Sequence, residues 1–288
     1  MVAALTTPLD WTGGPALIWV LGAAALYLLG GRGRRAPRAG DRWRAASFFA
    51  GLAAILAALD SPLDELAEEL FWAHMVQHVL LIGVAPPLLA LARPWPRMWR
   101  GVPAGLRRPV SRALTSSPRW SPLRRLAAFL GGGLVSWLIF NLDFCAWHLP
   151  VLYDAALRSA ALHAVEHLAF FATALLFWTR VIYSPPWRSR LGEPAKLAYL
   201  GATMVVGWVL AIVLALASSP LYAVYAEESS RPGHISALTD QQFAAGVMWV
   251  PASLPYAIAI VAIAYRWLGP REARGRSGPA KPLPTGVG

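Results

Sequence analysis

Seven long hydrophobic segments, separated by polar loops, make up most of the chain. They cover roughly residues 15–31, 46–60, 72–92, 126–142, 160–178, 197–217 and 242–267. Each is close to the length of about 20 residues that an α-helix needs to cross a bilayer, although the second is shorter. No alternation of polar and apolar residues typical of β-strands competes with them. The pattern predicts an all-α integral membrane protein, a seven-transmembrane-helix bundle formed by residues 1–268.

Basic residues lie almost entirely on alternate loops. Of the 26 Lys and Arg residues, 24 lie in the loops after the first, third and fifth segments or from Arg266 onward. The positive-inside rule therefore predicts an N-terminus outside and a C-terminus in the cytoplasm. Residues 269–288, rich in Gly, Pro and Arg, are expected to form a disordered cytoplasmic tail. The net charge of +11 then reflects topology within a lipid bilayer, and no nucleic-acid partner is expected.

Composition supports this class of protein and excludes some kinds of site. The chain is 57% hydrophobic and only 14% charged, whereas a soluble domain has about 25% charged residues. Its single cysteine, Cys145, excludes an internal disulfide and any CxxC copper or redox motif.

Four of the six histidines form two HxxxH pairs inside hydrophobic segments. His74 and His78 begin the third segment, and His163 and His167 begin the fifth. Residues four apart lie on one face of a helix, and the predicted topology puts both pairs near the outer surface. A polar group in lipid that has no hydrogen-bond partner costs several kcal/mol of free energy. Four imidazoles at similar depth therefore indicate a shared partner, and a metal ion is the first candidate.

Several further side chains near the same surface could complete or support such a site. These additional or supporting candidates are Glu166, His148, Asp240, Met75 and Met248. Glu166 could orient a ligating histidine or form an ordinary salt bridge, which is physically the same contact. The methionines could serve only in packing, but a thioether in the site would favour Cu(I) over Zn(II). Whether His148 and His234, both in predicted outer loops, are ligands is left open by the sequence.

The motifs now described resemble one known family. They are His74-Met-Val-Gln-His78 with Ala85-Pro86-Pro87-Leu88-Leu89, Trp147-His148 before Leu152-Tyr153, His163-x-x-Glu166-His167 before Phe177-Trp178, and Asp240-Gln241-Gln242 with Gly246 and Met248-Trp249. This set, spread over the third to seventh segments, resembles the polytopic CtaG-type cytochrome c oxidase assembly factors of bacteria.

The resemblance implies a non-enzymatic assembly factor of the respiratory chain in the bacterial cell membrane. Such a protein would act as a metallochaperone that helps place copper in the oxidase. It would bind copper at the outer face through His74, His78, His163 and His167. Its partners would be cytochrome c oxidase subunits and an outer-face copper donor protein.

Two other functions remain open at this point. The sequence His163-x-x-Glu166-His167 also matches the inverted zinc-peptidase motif, in which two histidines bind zinc and the glutamate acts as a base. An intramembrane zinc metallopeptidase would need a third ligand and a water path. A membrane protein binding one haem near the outer face is the second alternative. A cytochrome with two stacked haems does not fit, because its histidines would have to span both leaflets.

Overall fold

The computed structural model describes residues 14–32, 39–186, 191–228 and 231–269. Helices dominate these residues, and no β-strand occurs among them. The all-α prediction is therefore confirmed for the part of the chain that the structure describes. Most of the predicted disordered tail, residues 270–288, lies outside it.

Within the described residues, five helical segments are long and apolar enough to cross a membrane. They are Gly40–Leu59, Phe71–Ala92, Ala160–Val181, Glu193–Leu216 and Ala237–Leu268. A sixth is added if Pro118–Leu130 and Gly133–Trp147 count as one bent span, and Pro15–Leu29 is a shorter apolar helix. The chain is thus a helical membrane protein with several spans. The count of seven and the orientation of the termini stay predictions.

The helix bounds locate the elements that build the site. In chain order they are α1 (Pro15–Leu29), α2 (Ala39–Leu59), α3 (Pro62–Glu69), α4 (Phe71–Val79), a π-helical turn (Leu80–Val84), α5 (Ala85–Ala92), α6 (Trp95–Gly101), α7 (Ala104–Ser116), a 3-10 turn (Pro118–Trp120), α8 (Ser121–Leu130), α9 (Gly133–Trp147), α10 (Pro150–Leu157), α11 (Ala160–Val181), α12 (Glu193–Leu216), α13 (Ala223–Glu227), a 3-10 turn (Pro232–His234), α14 (Ala237–Trp249), a 3-10 turn (Pro251–Ser253) and α15 (Leu254–Leu268).

The fourth predicted segment, residues 126–142, straddles a sharp bend. Helix α8 ends at Leu130, α9 begins at Gly133, and the helical stretches on the two sides of this break differ in direction by 76°. The bend falls at a run of glycines, the residue type that most weakens a helix interior after proline. Arg180 donates a hydrogen bond of 2.7 Å to the carbonyl of Gly131 and so binds α11 to the bend. Hydropathy alone does not detect such a break, because glycine is compatible with an apolar segment.

A π-helical turn in the third segment positions the helix that bears the first histidine pair. Pro86 has no N–H, so the carbonyl of Ile82 lacks its usual partner four residues later. That carbonyl instead accepts a hydrogen bond of 3.0 Å from the indole N–H of Trp178. Trp178 belongs to α11, the helix that carries the second pair. This buried bond therefore connects α11 to the π-helical turn that directly follows α4.

Candidate metal centre

The two histidine pairs face each other across the contact between α4 and α11. The ring centroids of His74 and His163 are 5.1 Å apart, and those of His78 and His167 are 5.6 Å apart. Within the second pair the centroids of His163 and His167 are 4.2 Å apart. The helical spacing predicted that each pair shares a face. The structure additionally brings all four rings into one cluster.

The donor atoms of this cluster form two overlapping groups of metal-ligand type. One group is His74, His163 and His167, and the other is His74, His78 and Glu166. In each group the donor atoms lie within 4.8 Å of one another. Because a metal–nitrogen bond measures about 2.0–2.1 Å, bound donors lie at most about 4.2 Å apart. The donor atoms would therefore have to move closer together on coordination, and His74 is the member that both groups share.

Glu166 contributes a buried carboxylate to the cluster. Its side chain is buried, and the nearest histidine nitrogen, Nε2 of His78, lies 3.7 Å from Oε1. Neither carboxylate oxygen has a hydrogen-bond partner among the described residues. His163 and His167 likewise have a buried Nε2 without a partner there. Burying a carboxylate without compensation is costly, so this arrangement fits a bound cation.

Tyr225 fixes the orientation of His74. Its hydroxyl donates to the carbonyl of Ala67 at 2.8 Å and lies 3.2 Å from Nδ1 of His74. Burial raises the pKa of Tyr225, so the hydroxyl keeps its proton. Because that proton goes to Ala67, the Nδ1–H of His74 is the donor in the second contact. Nε2 of His74 is then unprotonated and accepts a hydrogen bond of 2.9 Å from Nε2–H of His78, so a metal ion at this lone pair would replace that bond.

Asp240 supports α4 from a distance instead of joining the cluster. Its two oxygens accept hydrogen bonds from the backbone N–H groups of Phe71, at 2.9 Å, and Trp72, at 3.0 Å. These are free donors in the first turn of α4, whose N-cap, Leu70, has no side chain able to accept them. Asp240 is therefore a helix cap supplied by α14, and it is absent from both donor groups. It positions His74 and His78 through the helix that carries them.

The other predicted side chains belong to neither donor group. The ring of His148 lies 5.9 Å from that of His78, whereas Met75 and Met248 line a cavity beside the cluster. His234 is exposed in a 3-10 turn and belongs to neither donor group. The structure thus adds Tyr225, which sequence reasoning missed, and leaves His234 outside.

A model of one protein family matches residues 25–269, which include every residue of the cluster. That family is described as cytochrome c oxidase caa3 assembly factor (Caa3_CtaG). The chain belongs to this family. No curated protein and no solved structure matches it. The resemblance to CtaG-type assembly factors is confirmed, and with it the link to cytochrome c oxidase assembly.

The geometry also bears on how a Caa3_CtaG protein could use this cluster. The four rings pack with centroid separations of 4.2–5.7 Å between the pairs described above and between His74 and His167. A haem macrocycle does not fit between rings at these separations. The donor atoms of each group, by contrast, lie within 4.8 Å of one another, a separation from which they could converge on one metal ion. The cluster of this family member is therefore suited to an ion.

Proposed function

We propose that this Caa3_CtaG protein assists cytochrome c oxidase assembly by binding copper at His74, His78, His163 and His167. The observation that carries the proposal is the buried carboxylate of Glu166, without a hydrogen-bond partner among the described residues, beside four convergent imidazoles. Copper here is the cargo of a metallochaperone, and the chain itself performs no catalysis. The family link to the oxidase supports copper as the choice among metals that imidazole binds.

Charge balance favours the monovalent ion. Neutral imidazoles contribute no charge, so Glu166 supplies the one negative charge of the cluster. A Cu(I) ion would make the site neutral overall. Zn(II) or Cu(II) would leave an unpaired positive charge buried among apolar helices, and such a charge costs several kcal/mol. This balance supports Cu(I) as the species held.

Delivery follows from the predicted topology. With the N-terminus outside, His74 and His163 both lie close to the outer ends of their spans. Copper would arrive from an outer-face donor protein and leave sideways, within the cell membrane, toward an oxidase subunit. A complete tetrahedral cage would trap the ion, so exchange is easier if only some of the donors bind at one time. The two overlapping donor groups that share His74 support such stepwise exchange.

Metal analysis of the purified protein tests the proposal directly. We expect copper to co-purify with the wild-type protein, and no Soret band to accompany it. His78→Ala and His167→Ala should each lower the copper content and impair oxidase assembly, whereas His234→Ala, which changes an exposed histidine, serves as the matched control. The proposal fails if both cluster variants keep the wild-type copper content and oxidase assembly. A Soret band that His78→Ala abolishes would assign a haem site instead.

Chemical labelling tests the orientation on which delivery depends. Single cysteines placed at Glu68 or Ser116, in a Cys145→Ser background, would be treated in intact cells with an impermeant thiol reagent. Glu68 lies in α3 and Ser116 at the end of α7, on loops that the positive-inside rule puts on opposite sides. We expect labelling at Glu68 alone. Labelling at Ser116 alone would reverse the orientation and place the cluster near the cytoplasm.

A further inference from the structure

A cavity lies directly beside the histidine cluster and is lined by residues of another chemical character. It lies among α4, the π-helical turn, α9, α12 and the last hydrophobic segment, which the 3-10 turn at Pro251–Ser253 divides into α14 and α15. Three of the chain's five methionines, Met75, Met204 and Met248, line it. So do His78, which belongs to the cluster, and His148, which does not. Thioethers and imidazole therefore meet in a space that the cluster itself borders.

His148 has one ring nitrogen committed and one free. Its Nδ1 lies 2.8 Å from the carbonyl oxygen of Phe144, so Nδ1 carries the proton and donates it. Nε2 is then an unprotonated acceptor, and it is buried without a hydrogen-bond partner among the described residues. The side chain is 4% exposed, so water does not readily satisfy this atom. Such a lone pair, in a cavity lined mainly by apolar residues, is available to bind a metal ion.

The methionines make a soft ion the fitting ligand. Thioether sulfur binds Cu(I) in preference to the harder Zn(II), Mg²⁺ or Ca²⁺. A neutral imidazole is compatible with the same ion. Methionine also packs into irregular cores without any metal, and Met75 and Met248 do belong to a buried cluster rich in aromatic residues. The free Nε2 of His148 distinguishes this cavity from a simple packing gap.

We infer that this cavity is a second Cu(I) site, formed by Nε2 of His148 with the thioethers of Met75, Met204 and Met248. The inference rests on the proposed function in taking copper as the cargo. His78 borders both sites, and its ring lies 5.9 Å from that of His148. An ion could therefore pass from cluster to cavity by exchanging one ligand at a time. The cavity would be the stage between the buried cluster and the partner protein.

The open side of the cavity indicates where the ion would leave. Gly207 and Trp208 of α12 line it together with Ser253 of the last segment. The indole N–H of Trp208 donates to the hydroxyl of Ser253 at 2.8 Å, and this contact is exposed. A Cβ built on Gly207 would meet no atom within 4 Å. The side of the bundle between α12 and the break at Pro251–Ser253 is therefore the exit toward a neighbouring membrane protein.

X-ray absorption of the Cu(I)-loaded protein separates the two sites, since it distinguishes sulfur from nitrogen ligands. We expect the wild-type protein to show sulfur ligands at about 2.3 Å, a distance similar to that of zinc–sulfur bonds in proteins. Met204→Leu combined with Met248→Leu leaves Met75 as the one remaining thioether, so it should greatly reduce this sulfur signal and lower the Cu(I) bound at saturation. Met98→Leu is the matched control, because Met98 packs in α6 against a different core cluster. Leucine conserves the volume of methionine, so folding should be retained.

Either of two outcomes would overturn the inference: no sulfur signal in the wild type, or a double variant that matches Met98→Leu. His167→Ala distinguishes this failure from failure of the proposed function, because His167 belongs to the cluster and does not line the cavity. If the cavity binds Cu(I) independently, the sulfur signal persists in that variant. If only the cluster binds Cu(I), the wild type shows nitrogen and oxygen ligands alone.

A second pair of variants tests the cavity without removing any donor. One variant adds a side chain at a residue that lines the cavity, and the other adds it elsewhere on the same helix. Gly207→Val places two methyl groups in open space that borders the cavity, whereas Gly201→Val adds the same groups on the same helix away from it. We expect Gly207→Val to lose the sulfur signal and Gly201→Val to retain it. Equal signals in the two variants would contradict a site in this cavity.

Discussion

His74 and His78 lie on a helix enclosed by protein, whereas His163 and His167 lie on a helix with an exposed opposite face. His74 is 0% exposed and His78 3%. On α11, by contrast, Val165 and Leu168, next to the second pair, are 51% and 67% exposed. The same HxxxH spacing therefore occurs in two different surroundings.

The first pair is also held by more contacts from remote parts of the chain. Asp240 caps its helix, and Tyr225 orients His74. Gln77, between the two histidines, donates to the carbonyl of Ala58 and to Asp64, both at 2.7 Å. The second helix has a local cap at its N-terminus, in which Ser159 accepts from the N–H of Leu162 at 3.4 Å. Its hydrogen bonds to remote residues come from Thr173, Trp178 and Arg180, which lie beyond the histidine pair toward the other end of the helix. The comparison suggests a rigid half and an adaptable half of one metal centre.

The largest effect should separate His74 from His163. His74 belongs to both donor groups, whereas His163 belongs to one and is only partly buried. We expect His74→Ala to lower Cu(I) affinity more strongly than His163→Ala, with both measured by competition against a chromophoric chelator. Because one ion couples the pairs, the double variant should lose less than the sum of the two single losses in binding free energy. Strictly additive losses would indicate two independent sites and end the idea of a shared ion.

Glu166→Gln should have the next largest effect. The amide keeps the shape and can still accept a hydrogen bond, but it supplies no negative charge to balance the ion. Loss of such a supporting carboxylate typically lowers metal affinity by about 10–100-fold. We therefore expect oxidase maturation to fall partially and to recover when copper is added to the growth medium.

A zinc peptidase would behave differently in the same experiment. There Glu166 would be the general base, so Glu166→Gln would abolish turnover and leave the zinc ligands in place. A variant that is fully inactive, indifferent to copper and accompanied by an uncleaved membrane substrate would favour that function. Both oxygens of Glu166 are buried, so a peptidase would also need a path by which water reaches them.

Sequence patterns predicted the parts of this molecule that repeat along the chain. Each of the seven hydrophobic segments is mainly helical, although breaks interrupt the fourth and the seventh. Each HxxxH pair shares a face because helical periodicity fixes that relation. The pairing of α4 with α11 was expected only from the cost of isolated imidazoles in lipid. Hydropathy and spacing carried both inferences, since both properties are local.

Contacts between remote residues carry no such local signal. Asp240 caps a helix that begins 169 positions earlier, and Tyr225 contacts a histidine 151 positions away. The sequence named Asp240 as an additional or supporting candidate, but it did not indicate that its carboxylate accepts hydrogen bonds from the backbone N–H groups of Phe71 and Trp72. The bend at Gly131 likewise depends on Arg180 of another helix. Tertiary packing decides these features, and spacing along the chain does not encode them.

A smaller effect is expected at the two helix caps, where the chain offers a matched comparison. Asp240→Ala removes the cap of the first histidine helix, and Ser159→Ala removes that of the second. Loss of a cap costs about 0.5–2 kcal/mol in stability. The buried cap of two hydrogen bonds should lie at the upper end, and the exposed 3.4 Å contact at the lower end. Thermal unfolding in detergent would measure both.

Copper binding should follow the same order at the caps. Without Asp240 the first turn of α4 loses its acceptors, and His74 lies only three residues beyond Phe71. We expect Cu(I) affinity to fall in Asp240→Ala and to remain nearly unchanged in Ser159→Ala. Equal losses in the two variants would remove the distinction between a rigid and an adaptable half.

The smallest effect is expected at His234, the histidine that the structure leaves outside the cluster. It is exposed at the end of a 3-10 turn, with a backbone φ of 55°, a conformation that residues other than glycine seldom adopt. Surface substitutions usually change free energies by no more than about 0.5 kcal/mol, which is roughly a twofold change in affinity. His234→Ala should therefore change Cu(I) affinity by about twofold or less. A larger loss would mean that the loop closes over the bound ion and contributes a fifth imidazole, and the adaptable half would then include residues 231–236.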